Sequence, residues 1–489
     1  MESLEKYFSQ FRKNIIGVDQ TFVSPYGEQR LIYTDWTASG RMYRPIEEKL
    51  MNDFGPFVAN THTETSTSGA AMTLAYHEAR NIIKRHVNAS EDDVLITEGS
   101  GMTGVVNKFQ RILGLKICDS LKEHTNVPDD LKPIVFVSHM EHHSNQTSWL
   151  ETIADVEVIP CNEVGLICLK SFQKLLDKHQ HRKLKIASIT AGSNVTGIKT
   201  KYHEIAKMIH AHNGLCFVDF ACSAPYVDID MHPAEKDAYL DAIFFSPHKF
   251  LGGPATSGVL IFNKKLYKNI VPDNPGGGTV SYTNPWGGHD YFDDVETRED
   301  GGTPAFMQTI KIALCVQLKE KMGTDKIKVR EDEINEKLFA CLESIENLHI
   351  LAEGHKDRLG IFSFYVDNVH FNLIVKLLND RFGIQTRGGC SCAGTYGHFL
   401  LNVDQQTSEA IEKQIVEGCS VEKPGWVRLS IHPTIKDEEV DFICEGLIAV
   451  CRNVDAWKQD YEYDAIQNDY RHKSHDSIEK SLVKQWFSN

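Results

Sequence analysis

The strongest constraint on the fold is an alternation, between residues 93 and 262, of short apolar runs with stretches of helical pattern. The runs are DVLIT (93–97), PIVFVSH (133–139), DVEVIP (155–160), KIASIT (185–190), LCFVDF (215–220), DAIFFS (241–246) and SGVLIF (257–262). Strands covered on both faces read as near-continuous apolar runs, because neither face meets water. Helical candidates such as KYHEIAKMIHAHN (201–213) fall between them. This order predicts an α/β domain in which a mostly parallel sheet is flanked by helices.

Beyond the last run, PDNPGGGTVSYTNPWGGHD (272–290) reads as a long loop. From about residue 306 the pattern changes to long helices, then to the short strands IFSFYV (361–366), GIQTR (383–387) and WVRLSI (426–431), which suits a smaller C-terminal α+β domain. The tail from 456 to 489 shows no clear periodicity. At 489 residues the chain is long enough for two or three domains. A net charge of −15 repels phosphate backbones and gives no general support for nucleic-acid binding, so no nucleic-acid partner is expected. No run approaches the roughly 18 apolar residues that span a bilayer, so no membrane partner is expected. The opening MESLEKYFSQFRKN lacks the apolar core of a secretory signal. Twelve scattered cysteines then suit reduced thiols and a cytoplasmic location.

Four segments carry chemistry. GSGMTG (99–104) lies between a strand and a helix and fits a phosphate cradle, since glycines admit the backbone and a helix N-terminus offers free N–H groups. Gly99, Gly101 and Gly104 also fit a dinucleotide loop with Asp119 downstream, and a plain tight turn explains them equally well. FSPHKFLGG (245–253) places Lys249 at a strand end beside Ser246 and His248, where a lysine can form a Schiff base with an aldehyde cofactor. Asp219, one β-α unit earlier, could keep a pyridine nitrogen protonated or could merely cap a helix. HMEHHSNQTSW (139–149) has three histidines but no second ligand cluster of zinc-like spacing, so no metal is expected. A histidine stacked on a cofactor ring is the alternative. RGGCSCAGTYGH (387–398) sets Cys390 and Cys392 in a glycine-rich loop beside Arg387, where a thiol near cations can be a nucleophile or an inert bystander.

Taken in order, YTDWTAS (33–39), GSGMT, EHHSN, SNVTG (193–197), VDFAC (218–222), SPHK, GGTP (301–304), RGGCSCA and WVRLS resemble class V, fold-type I pyridoxal-phosphate enzymes, within them the group II cysteine desulfurase and selenocysteine lyase branch. The resemblance runs from about Ile32 to about Val450. It implies a large cofactor-binding domain over 32–305, a small domain over 306–455, a tail over 456–489 and an N-terminal segment, 1–31, packed with the small domain. By the same resemblance Lys249 would be the Schiff-base lysine, Asp219 the partner of the pyridine nitrogen, and His142 the ring stacked on pyridoxal 5′-phosphate. Asn194 would bond the ring hydroxyl. Ser100, Gly101, Met102 or Thr103, Ser246 and His248 would hold the phosphate. Thr303 would reach the phosphate of a partner subunit, which implies a homodimer. Arg428, with Arg387 nearby, would bind the substrate carboxylate. Cys392 falls where the family's R-x-G-x-x-C-A pattern puts the sulfur-accepting cysteine.

Three positions depart from that pattern. Cys222 stands where the family usually has Gln, and Gly101 and Met102 stand where Thr and Glu are common. Cys390 is an additional thiol. The expected activity is removal of sulfur from L-cysteine to give L-alanine and an enzyme persulfide, passed to a sulfur-acceptor protein. The rival within the class is an aminotransferase, epimerase or lyase without a catalytic thiol. A nicotinamide-dependent dehydrogenase leaves Lys249, His142 and Arg428 unexplained, and a non-catalytic scaffold leaves Lys249 and Asp219 without purpose.

Overall fold

The computed structural model describes residues 3–61, 63–416, 424–474 and 478–488. Each apolar run forms a strand: β1 Asp93–Glu98, β2 Ile134–Ser138, β3 Asp155–Ile159, β4 Lys185–Thr190, β5 Leu215–Asp219, β6 Ala242–Phe245 and β7 Gly258–Asn263. They make one seven-stranded sheet in the order β1-β7-β6-β5-β4-β2-β3. From β6 to β3 neighbours run parallel, while β7 is antiparallel to both β6 and β1. The sheet is mostly parallel, as its runs predict.

Side chains alternate between faces along a strand, so each buried strand feeds two cores. Phe136, Ala187, Val218 and Ile243 share one core with Ile83, Phe172, Ile209 and Ile312 of the helices Thr67–His86, Leu169–Lys178, Tyr202–Ala211 and Phe306–Met322. Val135, Ile186, Phe217 and Phe244 share the other with Val105, Phe109 and Trp149 of Met102–Ile112 and His143–Leu150. The C-terminal ends of β1, β2, β4, β5 and β6 lie at one edge, where open α/β sheets bind ligands. The turn leaving β1 can lie against β7 only through glycine. Gly99 takes φ +61°, and a Cβ on Gly258 would sit 2.2 Å from the Gly101 carbonyl oxygen.

The smaller unit is an antiparallel sheet of β8 Leu348–Ile350, β9 Ile361–Val366, β10 Arg387–Gly389 and β11 Trp426–Ser430, in the order β8-β9-β11-β10. Phe362, Phe364, Val427 and Leu429 face its own core with Leu338, Leu377, Ile443 and Leu447 of three helices. The alternate residues Ser363 and Arg428 are cross-strand partners on the opposite face, and Ser363 Oγ donates to the carbonyl of Val195, just past β4 (2.7 Å).

Several regions differ from expectation. The loop 272–290 holds a hairpin, Val280–Thr283 with His289–Tyr291, whose strands are too short and Gly-flanked to be read as apolar runs. GIQTR is split, because Ile384–Gln385 pairs with Ile32–Tyr33 in parallel while Arg387 starts β10. The tail forms a hairpin, Tyr461–Asp464 with Asp469–His472, and a helix, Ile478–Trp486; its residues 475–477 and 489 lie outside the described residues, as do residues 1–2 of the N-terminal segment. That segment touches both units: Phe8 and Phe11 lie in the main core, while Arg12 pairs with Glu439 (2.5 Å) and Tyr26 donates to Asp460 (2.8 Å). The boundaries at 31, 305 and 455 are retained as a proposal.

A buried ionic cluster ties the glycine turn to the excursion at 272–300. Lys108, fully buried, meets Glu98 and Glu299 at 2.9 Å each and Asp273 at 3.5 Å, and Arg111 holds Asp273 through two nitrogens at 2.7 Å. Lys108→Met leaves the fully buried Glu299 carboxylate without its cation. The expected loss is about 3–5 kcal/mol, read as a lower thermal midpoint; an unchanged midpoint contradicts this account of the cluster.

Candidate active site

The strand ends and the Arg387–Gly394 loop enclose a cavity of about 490 Å³. Its wall brings together the glycine turn from Ser100 to Thr103, His142, Asn194, Asp219, Cys222, Ser246, His248, Lys249, Arg387, Cys392 and Arg428. These come from the ends of five strands and from the smaller unit, so the sheet register gathers residues that are up to 328 positions apart. Thr303 is exposed on a separate loop and does not line this cavity.

Asp219 ends β5 and is 3% exposed; its Oδ1 accepts from the Ala221 N–H (2.8 Å). Burial pushes its carboxyl up to about 6, against the pull of that N–H and of Lys249. The Lys249 amine is held below its usual value, first by desolvation, with Arg428 and Arg387 adding to the effect against Cys222 and Asp219. Desolvation also lowers His142 to about 3 and His248 to about 4, so both rings are neutral at physiological pH. His142 Nδ1 accepts from the Ser144 N–H (3.1 Å), which leaves its proton on Nε2. Behind His142, Glu141 is fully buried; Ser138 Oγ (2.5 Å), Thr190 N–H (2.9 Å) and Asn145 Nδ2 (2.7 Å) all donate to it.

On the glycine turn, the Met102 N–H donates to Ser246 Oγ (2.8 Å), joining the helix start to the loop that carries Lys249. Cys222 donates its thiol hydrogen to the Gly192 carbonyl (2.9 Å), and burial pushes the thiol up to about 12. It is thus a neutral wall residue. Cys392 is partly exposed, at φ +58°, directly after Ser391 at φ +50°. Asn194 Nδ2 donates to the Ser391 carbonyl (2.7 Å), and Trp426 Nε1 to Ser391 Oγ (3.2 Å). Cys390 packs instead against the apolar cluster of Met140, Val195 and Trp426 and does not line the cavity. The three histidines of the 139–149 segment separate: His139 meets the Gly165 carbonyl (3.0 Å), His142 the Ser144 N–H and His143 the Gly394 N–H (2.8 Å).

Sequence reasoning missed Asp35. Arg428, 2% exposed, donates through Nη2 to Asp35 Oδ1 (2.7 Å) and through Nη1 to the Asn194 carbonyl (3.2 Å). Asp35 is fixed there because the backbone after Tyr33 bridges to Ser430, two residues past Arg428. Its segment, YTDWTAS, enters the sequence reading only as one motif of the family resemblance, and nothing local signals a charge partner 393 residues away.

The fold and this constellation define a class. The family model for class-V aminotransferases matches residues 32–443, and the chain belongs to that family; it is a pyridoxal-phosphate-dependent enzyme. Among relatives, it is 27% identical over 368 residues to a probable cysteine desulfurase of Halalkalibacterium halodurans, covering 74% of this chain and 84% of that one. It is also 27% identical over 370 residues to a probable cysteine desulfurase of Staphylococcus aureus, covering 75% and 84%. In fold it resembles the apo cysteine desulfurase of Thermococcus onnurineus, with a TM-score of 0.72 and 21% identity over 91% of this chain and 98% of that one. The S-sulfonic acid form of the cysteine desulfurase CsdA of Escherichia coli gives a TM-score of 0.69 and 19% identity over 92% and 98%.

The raised Asp219 carboxyl has a thermodynamic consequence. Its folded value of about 6 exceeds the ordinary 3.8, so the folded state binds this proton more tightly than the unfolded state does. Raising pH from about 4 to about 6 therefore removes stability from the ligand-free protein, by about 3 kcal/mol once the group is ionised. Asp219→Asn has no such group. Its stability advantage over wild type should grow through that window; a constant difference between the two from pH 4 to pH 7 contradicts the assignment.

Proposed function

We infer that this chain is a cysteine desulfurase that removes sulfur from L-cysteine. The observation carrying this reading is that a depressed lysine amine, a buried carboxylate, a buried arginine and a cysteine line one cavity. The residues present fit pyridoxal 5′-phosphate. Asp219 is a buried acid that a pyridinium N–H would suit, and a helix start with glycines and hydroxyls lies in the same wall. The volume of about 490 Å³ is that of a small-molecule site. Ser100, Gly101, Met102, Thr103, Ser246 and His248 would hold the phosphate, Asn194 and Cys222 the ring hydroxyl side, and His142 the ring face. Thr303 would serve the partner subunit of a homodimer.

When bound, the cofactor supplies an aldehyde for amines and a ring that takes up the electron pair left at the substrate's α-carbon. The rest falls to the protein. Arg428 takes the substrate carboxylate with its planar fork, exchanging Asp35 for it. Lys249, depressed toward the neutral amine, accepts the α-proton. The Cys392 thiolate attacks the substrate's γ-sulfur: an S–S bond forms, the substrate's C–S bond breaks with its electron pair left on the β-carbon, that carbon takes a proton from solvent, and Lys249 returns the proton to the α-carbon. The products are L-alanine and a persulfide on Cys392, ready for a sulfur-acceptor protein.

Purified enzyme supplied with pyridoxal 5′-phosphate and L-cysteine should yield alanine and persulfide in equal amounts. Lys249→Ala should lower kcat by about a thousandfold, and Cys392→Ala should abolish the persulfide. Turnover of amino acids with Cys392→Ala as fast as wild type would instead indicate an aminotransferase, epimerase or lyase of the same family.

A further inference from the structure

Beside the cavity, one histidine is turned away from it. His142 lines the wall, whereas its neighbour His143, partly buried, faces the loop that carries Cys392. Two bonds join them. The His143 N–H donates to the carbonyl of Cys392 (2.8 Å), and His143 Nε2 accepts from the N–H of Gly394 (2.8 Å). One residue thus holds the chain on the C-terminal side of Cys392, at that residue's own carbonyl and at the N–H two positions on.

The grip has something to oppose. Ser391 and Cys392 are consecutive non-glycine residues at positive φ, a conformation that costs each of them energy and that persists only where surrounding contacts impose it. Gly394 opens the short helix Gly394–Leu400, so its N–H has no partner within that helix. The approach is close: a Cβ on Gly394 would lie 3.0 Å from His143 Nε2. An Nε2 that accepts must be unprotonated, so the ring is neutral with its hydrogen on Nδ1.

We propose that His143 is a positioning residue for the sulfur-accepting thiol, holding the Cys392 loop against the cavity through the acceptor at Nε2. This rests on the reading of Cys392 as nucleophile. His143 touches no reacting atom. Its contribution lies in the placement of the thiol, where a shift of about 1 Å can cost on the order of a hundredfold in rate.

The test compares His143→Leu, which fills similar space without an acceptor, with His143→Gln, whose side-chain carbonyl can accept from Gly394. Gly394→Ala, which keeps the ring but crowds it, is a second route to the same displacement. Each is loaded with cofactor and assayed for cofactor content, for alanine formation from L-cysteine and for the rate of Cys392 alkylation by iodoacetamide without substrate. The expected result for His143→Leu is unchanged cofactor content and KM, a kcat lower by about 30-fold and a changed alkylation rate. His143→Gln should recover most of the kcat, and Gly394→Ala should fall between. A wild-type kcat in His143→Leu, or a His143→Gln as impaired as His143→Leu, overturns the proposal. Cys392→Ala separates the two levels. If it is inactive while His143→Leu is normal, only the positioning role falls; if it turns over like wild type, the nucleophile reading falls and takes this inference with it.

Discussion

A buried acid and a partly buried amine face one cavity, and the rest of the site is arranged around that pairing. Asp219 ends β5, and Lys249 follows β6, the strand paired beside it with Asp219 opposite Phe244. Because the register of two buried strands is set by their apolar faces, their separation is fixed by the core and not by the loops. Burial costs each group solvation, so each is driven toward its neutral form: the carboxyl up, the amine down. A lysine in that state is a ready nucleophile and base, and an acid that must ionise in a buried site calls for a cationic partner.

The smaller unit completes the cavity by presenting one face of its sheet. Arg428 and Ser363 project from that face while Phe362, Phe364, Val427 and Leu429 pack behind it. The guanidinium arrives already paired with Asp35, which solves the problem of burying a lone cation before any anion is bound. The bond between Ser363 and Val195 and the bridge from Asp35 to Ser430 tie this face to the chain around the large sheet, so the arginine's position follows from backbone pairing.

Much of this was legible in the sequence because its signals are local. Seven apolar runs correspond to seven strands, the motifs at their ends mark the positions of Lys249, Asp219 and His142, and the RGGCSCA loop of the smaller unit marks Cys392. What escaped notice depended on distant pairings or on short elements. The hairpin at 280–291 has strands of four and three residues inside a Gly-, Pro- and Asn-rich stretch, so composition hid it. Ile384–Gln385 is a strand only because Ile32–Tyr33 lies alongside. Asp35 became part of the site through a contact that no periodicity encodes, and the two thiols of RGGCSCA could be told apart only once the loop's conformation put Cys392 in the cavity wall and Cys390 in an apolar cluster.

The central claim is that the cofactor is carried on Lys249. It is tested most directly by incubating the protein with pyridoxal 5′-phosphate, reducing it with borohydride and mapping the modified peptide by mass spectrometry. The account predicts a single stable phosphopyridoxyl adduct on the peptide containing SPHKF, with the mass addition on Lys249. An adduct confined to another lysine, or none at saturating cofactor, would contradict it.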